Sequence, residues 1–163
     1  MQSRLFPLYP NAKYSFDTNI YISIWRDHYP PDRFKNLYID LEKLINQGII
    51  LSTIPVKIEL ERQKDEIYDF FNNFKRLFVF PTQEEQLTLE GLVNHNDFPD
   101  WGGGDSEKHY ADPYIVALAK IHNLKVVSYE SGRGNNTIYH ACEFCDVPFL
   151  KFIDFLREED LSY

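Results

Sequence analysis

The sequence predicts an α/β fold, a central parallel sheet with helices in a layer on either side. Three observations carry this reading. Short apolar runs alternate with stretches of helical periodicity along the chain, the order that builds a parallel sheet from strand–helix–strand units. One of these runs, Ile49-Ile50-Leu51-Ser52, reads as a short buried strand, apolar over its first three residues, as strands covered on both faces tend to be. The first run, Tyr14-Ser15-Phe16, ends on Asp17 with a helical pattern directly behind it. An acid at the carboxyl end of a first strand sits where open α/β sheets place their chemistry.

The elements follow in order. Residues 1–13, with Pro7, Pro10 and Asn11, read as an irregular lead-in. Strand one covers 14–16 and a short helix 20–26, interrupted by Pro30-Pro31. Residues 32–47 form the clearest helix: Phe34, Leu37, Tyr38, Leu41, Leu44 and Ile45 recur at helical spacing, and Gly48 stops it. After the strand at 49–52, Pro55 opens a helix that carries Ile58, Glu59 and Leu60. A second helical piece, 65–74, puts Ile67, Phe70, Phe71 and Phe74 on one face. Strand three is 77–80, ended by Pro81. Thr82-Gln83-Glu84-Glu85 fits a capping box for the helix holding Leu89, Leu92 and Val93. Residues 94–104 form a loop, with Trp101 beside three glycines that would let it flex. A helix at 113–122 leads to strand four at 125–129. Residues 131–136 are rich in turn formers. A last strand at 147–150 and a closing helix at 152–159 complete the chain.

Bulk properties narrow the class. At 163 residues the chain reads as one domain, 1–163, long enough to bury a core. Its 13 Phe and 11 Tyr supply the core volume that one Met and few Ala do not. No run of about 18 apolar residues exists to span a membrane, and the amino end has no apolar segment of the signal-peptide kind. Two cysteines make no disulfide framework, so a cytoplasmic setting is expected. The net charge of −8 counts against a globally basic nucleic-acid binder. A cluster of metal-binding carboxylates would add to that total while leaving local basic patches intact.

Four acids are candidates for chemistry: Asp17 after strand one, Glu59 on the third helix, Asp112 at a helix start and Glu130 just after strand four. Each has a structural reading when taken alone. Asp17 could cap the helix that follows. Glu59 could be a solvated surface acid, as could Glu130 beside its glycine loop. Asp112-Pro113 makes a good cap and first-turn pair. Together they suggest a different role. Carboxylates from several segments, meeting at one end of a parallel sheet, suit a hard cation such as Mg²⁺.

The residues that carry these acids also carry a resemblance. Phe16-Asp17-Thr18-Asn19, Val56-x-x-Glu59-Leu60, Tyr110-Ala111-Asp112-Pro113-Tyr114-Ile115-Val116-Ala117-Leu118-Ala119 and Val126-Val127-Ser128-Tyr129-Glu130 together resemble the PIN domain. More narrowly, they are similar to a PIN-like branch related to the VapC toxins of toxin–antitoxin pairs. The likeness runs over residues 14–156, and the Ala111–Ala119 segment is its most specific piece. It implies a Rossmann-like α/β/α fold and a Mg²⁺- or Mn²⁺-dependent endoribonuclease, the toxin half of a pair. On that resemblance Asp17, Glu59 and Asp112 bind metal, and Thr18, Asn19 and Ser128 orient ligands or water behind them. The fourth acid of the family is commonly Asp after Ser or Thr; here Ser128-Tyr129-Glu130 occupies the place, and Glu reaches one methylene further. RNA is the implied substrate, and a cognate antitoxin and a homodimer the implied partners. The alternative is a catalytically inactive PIN-fold module that binds RNA or a protein partner, which the net acidity and the altered fourth position leave open.

Other constellations say less. His140-Ala141-Cys142-Glu143-Phe144-Cys145 offers three soft ligands where a structural zinc site takes four. Gly102-Gly103-Gly104-Asp105 lacks the Gly-Lys-Ser/Thr of a phosphate loop. A phosphatase using Asp17 as nucleophile resembles Asp-x-Asp, and Asn19 stands at its third position. Arg26, Arg33, Lys35, Lys108 and Arg133 are candidates for RNA phosphate, and Trp101, Tyr114 and Tyr129 for base stacking. Each reads equally as an ordinary surface charge or core ring.

Overall fold

In a computed structural model, which describes residues 5–102 and 107–163, five parallel strands form one sheet in the order β3-β2-β1-β4-β5. They are β1 (Tyr14–Phe16), β2 (Ile50–Thr53), β3 (Phe78–Val79), β4 (Lys125–Val127) and β5 (Phe149–Leu150). The chain enters at the centre, steps outward through β2 to β3, then returns to the other side of β1 for β4 and β5. That reversal opens a crevice beyond the carboxyl ends of β1 and β4, the place where such sheets bind ligands. Phe16 pairs with Val127, so the next residues, Asp17 and Ser128, leave the sheet side by side.

Eight helices fill the connections among the described residues: α1 (Thr18–Ser23), α2 (Lys35–Asn46), α3 (Ile54–Gln63), α4 (Glu66–Phe71), α5 (Gln83–Val93), α6 (Asp112–His122), α7 (Ile138–Cys145) and α8 (Phe152–Glu158). The two-residue period of a strand assigns their layers. Tyr14 and Phe16 point to one face, where the Phe155 ring of α8 meets them edge-on at 4.9 and 5.0 Å. Ser15 points to the other, where its hydroxyl donates to the Ile115 carbonyl of α6 at 3.1 Å. Helices α5 and α7 flank α6 on that second face. Aromatic volume does fill the core: Tyr14, Phe16, Tyr21, Phe71, Phe98, Phe152 and Phe155 are among the largest fully buried side chains. No helix of the described residues is long and apolar enough to cross a membrane.

Several boundaries shift for local reasons. Helix α1 starts at Thr18, because the Asp17 carbonyl already accepts the Ile20 N–H; it runs on into a π-helical turn, Ile24–His28. Helix α4 starts where the Asp65 carboxylate caps the Ile67 and Tyr68 N–H groups, and it ends at Phe71, short of 74. The Thr82 capping box closes from both sides, with Glu85 as its partner. Strand β4 stops at Val127, and the Tyr129 N–H turns to the Asn19 side chain. Helix α7 is not expected from the sequence pattern. Thr137 caps it by accepting the His140 N–H, and Ile138, Ala141 and Cys142 bury its inner face.

The loop at 94–102 is packed where it is described. Trp101 is buried and stacked on Phe98 at 4.6 Å. A Cβ on Gly102 would lie 2.6 Å from the Val93 carbonyl oxygen, so only glycine allows this approach to α5. Gly103, Gly104 and Asp105 lie outside the described residues.

Candidate functional site

Asp17, Thr18, Asn19, Glu59, Asp112 and Glu130 line one cleft of about 500 Å³ beyond the carboxyl ends of β1 and β4. Four separate segments deliver the acids, and a specific donor holds an oxygen of each. The Ser128 hydroxyl donates to Asp17 Oδ2 at 2.7 Å and accepts from the Glu130 N–H at 2.9 Å. The Thr18 hydroxyl donates to Glu59 Oε1 at 2.9 Å. Asp112 Oδ2 lies 2.7 Å from His109 Nδ1. Glu130 Oε1 accepts the Tyr139 N–H at 3.1 Å, from the first turn of α7. Helix α7 therefore holds the fourth acid through its amino terminus, where N–H groups and helix dipole favour an anion. Asn19 ties the set together by donating to Ser128 Oγ at 3.3 Å and accepting from the Tyr129 N–H at 3.0 Å.

The capping alternatives do not hold here. Asp17 occupies the N-cap position of α1, yet its side chain makes no cap hydrogen bond. Asp112 is the first residue of α6, and the cap position belongs to Ala111. Glu59 is half-buried in the cleft, whereas Glu61 is exposed.

Burial and mutual repulsion set the electrostatics. Asp17 is 5% exposed and Asp112 8%. Burial pushes Asp17 well above the ordinary carboxylate range, and the negative charges of Asp112, Glu59 and Glu130 push it further, against the Ser128 hydroxyl. Glu59 is pushed up to about 7, first by burial, with Thr18 opposing and Asp112 adding. Burial also raises Asp112, opposed by His109, and raises Glu130, opposed by the Tyr139 amide. The His109 imidazole is raised in turn by its bond to Asp112. The cleft thus gathers more negative charge than its own donors balance.

The donor set is hard oxygen, which fits Mg²⁺ or Mn²⁺ better than zinc or copper. Among the described residues no group of three or more His, Cys, Asp or Glu side chains is placed so that it could hold a metal ion. Mg²⁺ keeps several of its waters and takes only one or two protein carboxylates. Cys142 is buried in α7 and His140 bonds Asp97 at 2.8 Å, so the soft ligands of that segment do not converge.

Arg62, Gln63, Lys108 and His109 also line the cleft. Only Lys108 was singled out in the sequence for a phosphate role. The signal for Arg62 and Gln63 was their spacing: they follow Glu59 by three and four residues on α3, the same helical face. Of the other basic candidates, Lys35 is exposed at the start of α2, away from the residues that line the cleft, and three are engaged elsewhere. Arg26 pairs with Asp65 at 2.6 Å, Arg33 with Asp32 at 3.5 Å, and Arg133 lies over the Tyr139 ring. Trp101 belongs to the core, while Tyr129 stacks on the exposed His28 ring at 4.8 Å.

The sheet order and the helices on both faces define a three-layer PIN-like α/β/α fold. A crystal structure of VapBC2 from Rickettsia felis, bound to a DNA fragment from their promoter, contains a chain with this fold; the match has a TM-score of 0.50 and 15% identity over 85% of this chain and 97% of that one. The chain belongs to the family described as Domain of unknown function (DUF4411), whose model matches residues 14–163. No curated protein matches its sequence.

Proposed function

We propose that the protein is a metal-dependent endoribonuclease that hydrolyses RNA phosphodiesters, acting as the toxin component of a toxin–antitoxin pair. One observation supports this most: four carboxylates from four segments line a single cleft at the point where the strand order reverses. Asp17, Glu59 and Asp112 would hold Mg²⁺ or Mn²⁺, with Glu130 reaching it directly or through water. When bound, the ion supplies Lewis acidity at the phosphodiester and acidifies the attacking water. The chain's own groups set the geometry. Ser128 and Thr18 each fix one oxygen of Asp17 and Glu59, so both carboxylates are oriented before substrate arrives. His109 does the same for Asp112. The antitoxin partner is suggested by the fold shared with a chain of a VapBC2 complex.

The test is cleavage of a mixed pool of single-stranded and transfer RNA, in Mn²⁺, in Mg²⁺ and with chelator, with Asp112→Asn as control. Metal-dependent cutting that the variant loses is the expected result. No cutting, together with no Mn²⁺ binding by calorimetry, would instead favour the binding module without catalysis.

A further inference from the structure

We propose that Arg62 and Lys108 clamp a backbone phosphate next to the one the carboxylates address, so that the cleft takes single-stranded RNA as a run of consecutive phosphodiesters. This rests on the nuclease reading and names how that substrate is held. An acid-lined cleft in a chain of net charge −8 repels a polyanion, so entry of a strand needs local cations. These two provide them on the wall of the same cleft.

Their surroundings differ from those of several basic residues that carboxylates neutralise. Lys13, Arg26 and Lys125 are committed to carboxylates at 3.4, 2.6 and 2.7 Å. Arg62 and Lys108 make no ion pair among the described residues. Arg62 instead rests on the Tyr110 ring, its guanidinium carbon 5.1 Å from the ring centroid. Seating by the ring face leaves the in-plane N–H fork available for phosphate oxygens, and it limits the side-chain entropy lost on binding. Gln63, adjacent on α3, adds an amide donor to the same wall. A purely structural role for Arg62, screening Glu59, makes a different prediction and can be separated.

The probe is a fluorescent oligouridine with 2′-O-methyl groups, which resists cleavage, bound in chelator across about 50–200 mM salt. Each phosphate contact on a single strand contributes about 0.7 to the slope of log affinity against log salt. Arg62→Gln and Lys108→Gln are each expected to lower that slope by about this amount, with Mn²⁺ affinity retained. Arg62→Lys should keep the slope and lose part of the affinity, because a point charge replaces the fork. Folded variants that keep the wild-type slope overturn the clamp, as does a wild type that does not bind the probe. The nuclease reading fails separately, on absent Mn²⁺ binding and absent cleavage. Slope loss in that case leaves the clamp standing as a phosphate site without catalysis.

Discussion

The two ends of strands β1 and β4 both carry acids, and their electrostatics are opposite. At the amino ends a pocket of about 380 Å³ holds Lys13, Tyr14, Lys125, Glu158 and Glu159. There Lys125 Nζ lies 2.7 Å from Glu158, and the Tyr14 hydroxyl shares its proton between Glu159 at 2.6 Å and Glu158 at 3.0 Å. Lys125 and Tyr14 hold the Glu158 carboxyl below its ordinary value. At the carboxyl ends Asp17, Glu59, Asp112 and Glu130 are all held above theirs. The paired acids fasten α8 to the sheet. Gathering unbalanced acids in one cleft costs stability at neutral pH, which fits the site proposed above.

The largest expected effect tests that contrast directly. Asp17→Asn and Asp112→Asn should each reduce Mn²⁺-dependent cleavage about 10³-fold or more, since the several kcal/mol of charge stabilisation from the ion is lost. Circular dichroism should show the fold intact. Wild-type cleavage in either variant would sink the site assignment. Next comes pH. Glu59 has a folded pKa of about 7, above its free value of 4.5, so its contribution to stability is full below that free value and lost as pH rises through 7. Without divalent ions the protein should melt higher at pH 6 than at pH 8, and Mn²⁺ should diminish the difference. A metal-free melting temperature that climbs from pH 6 to 8 would contradict the repulsion inferred for the cleft. Glu158, with its lowered value, contributes in the opposite sense: its small share is present above the free carboxylate range and fades as pH falls.

How much of this was legible in the sequence depends on how local the signal is. The five strands, the capping box at Thr82 and the order of the elements rest on neighbouring residues, and the alternation of apolar runs showed them. Asp17, Asp112 and Glu130 were visible because each follows a strand or opens a helix, and Glu59 because Leu60 follows it in the pattern that carries the resemblance. Helix α7 was not, because a turn-rich stretch precedes it and Cys, His and Glu obscure an apolar face only eight residues long. Missing it hid the tether on Glu130, which depends on a backbone N–H nine residues away. His109, three residues before Asp112, was legible as a residue that could line a cleft, though not its bond to that carboxylate. Arg62 was obscured for a different reason: its seat on Tyr110 comes from long-range placement, and nothing in a charged helix end distinguishes it from a solvated residue.

The smallest effects belong to the amino end. Tyr14→Phe removes a buried hydroxyl that serves two carboxylates, yet Lys13 and Lys125 remain beside them. It should cost about 1–2 kcal/mol in chemical unfolding. Lys125→Met should cost less, under about 1 kcal/mol, because its side chain is 42% exposed and the ion pair is screened. Neither should alter Mn²⁺ affinity or cleavage. Tyr14 and Asp17 stand only three positions apart, on either side of Ser15 and Phe16, so the comparison is demanding. If Tyr14→Phe lowered cleavage as Asp17→Asn is expected to, the clasp and the cleft would be one coupled network. Independent behaviour would establish that two residues of strand separate a fastening from a site.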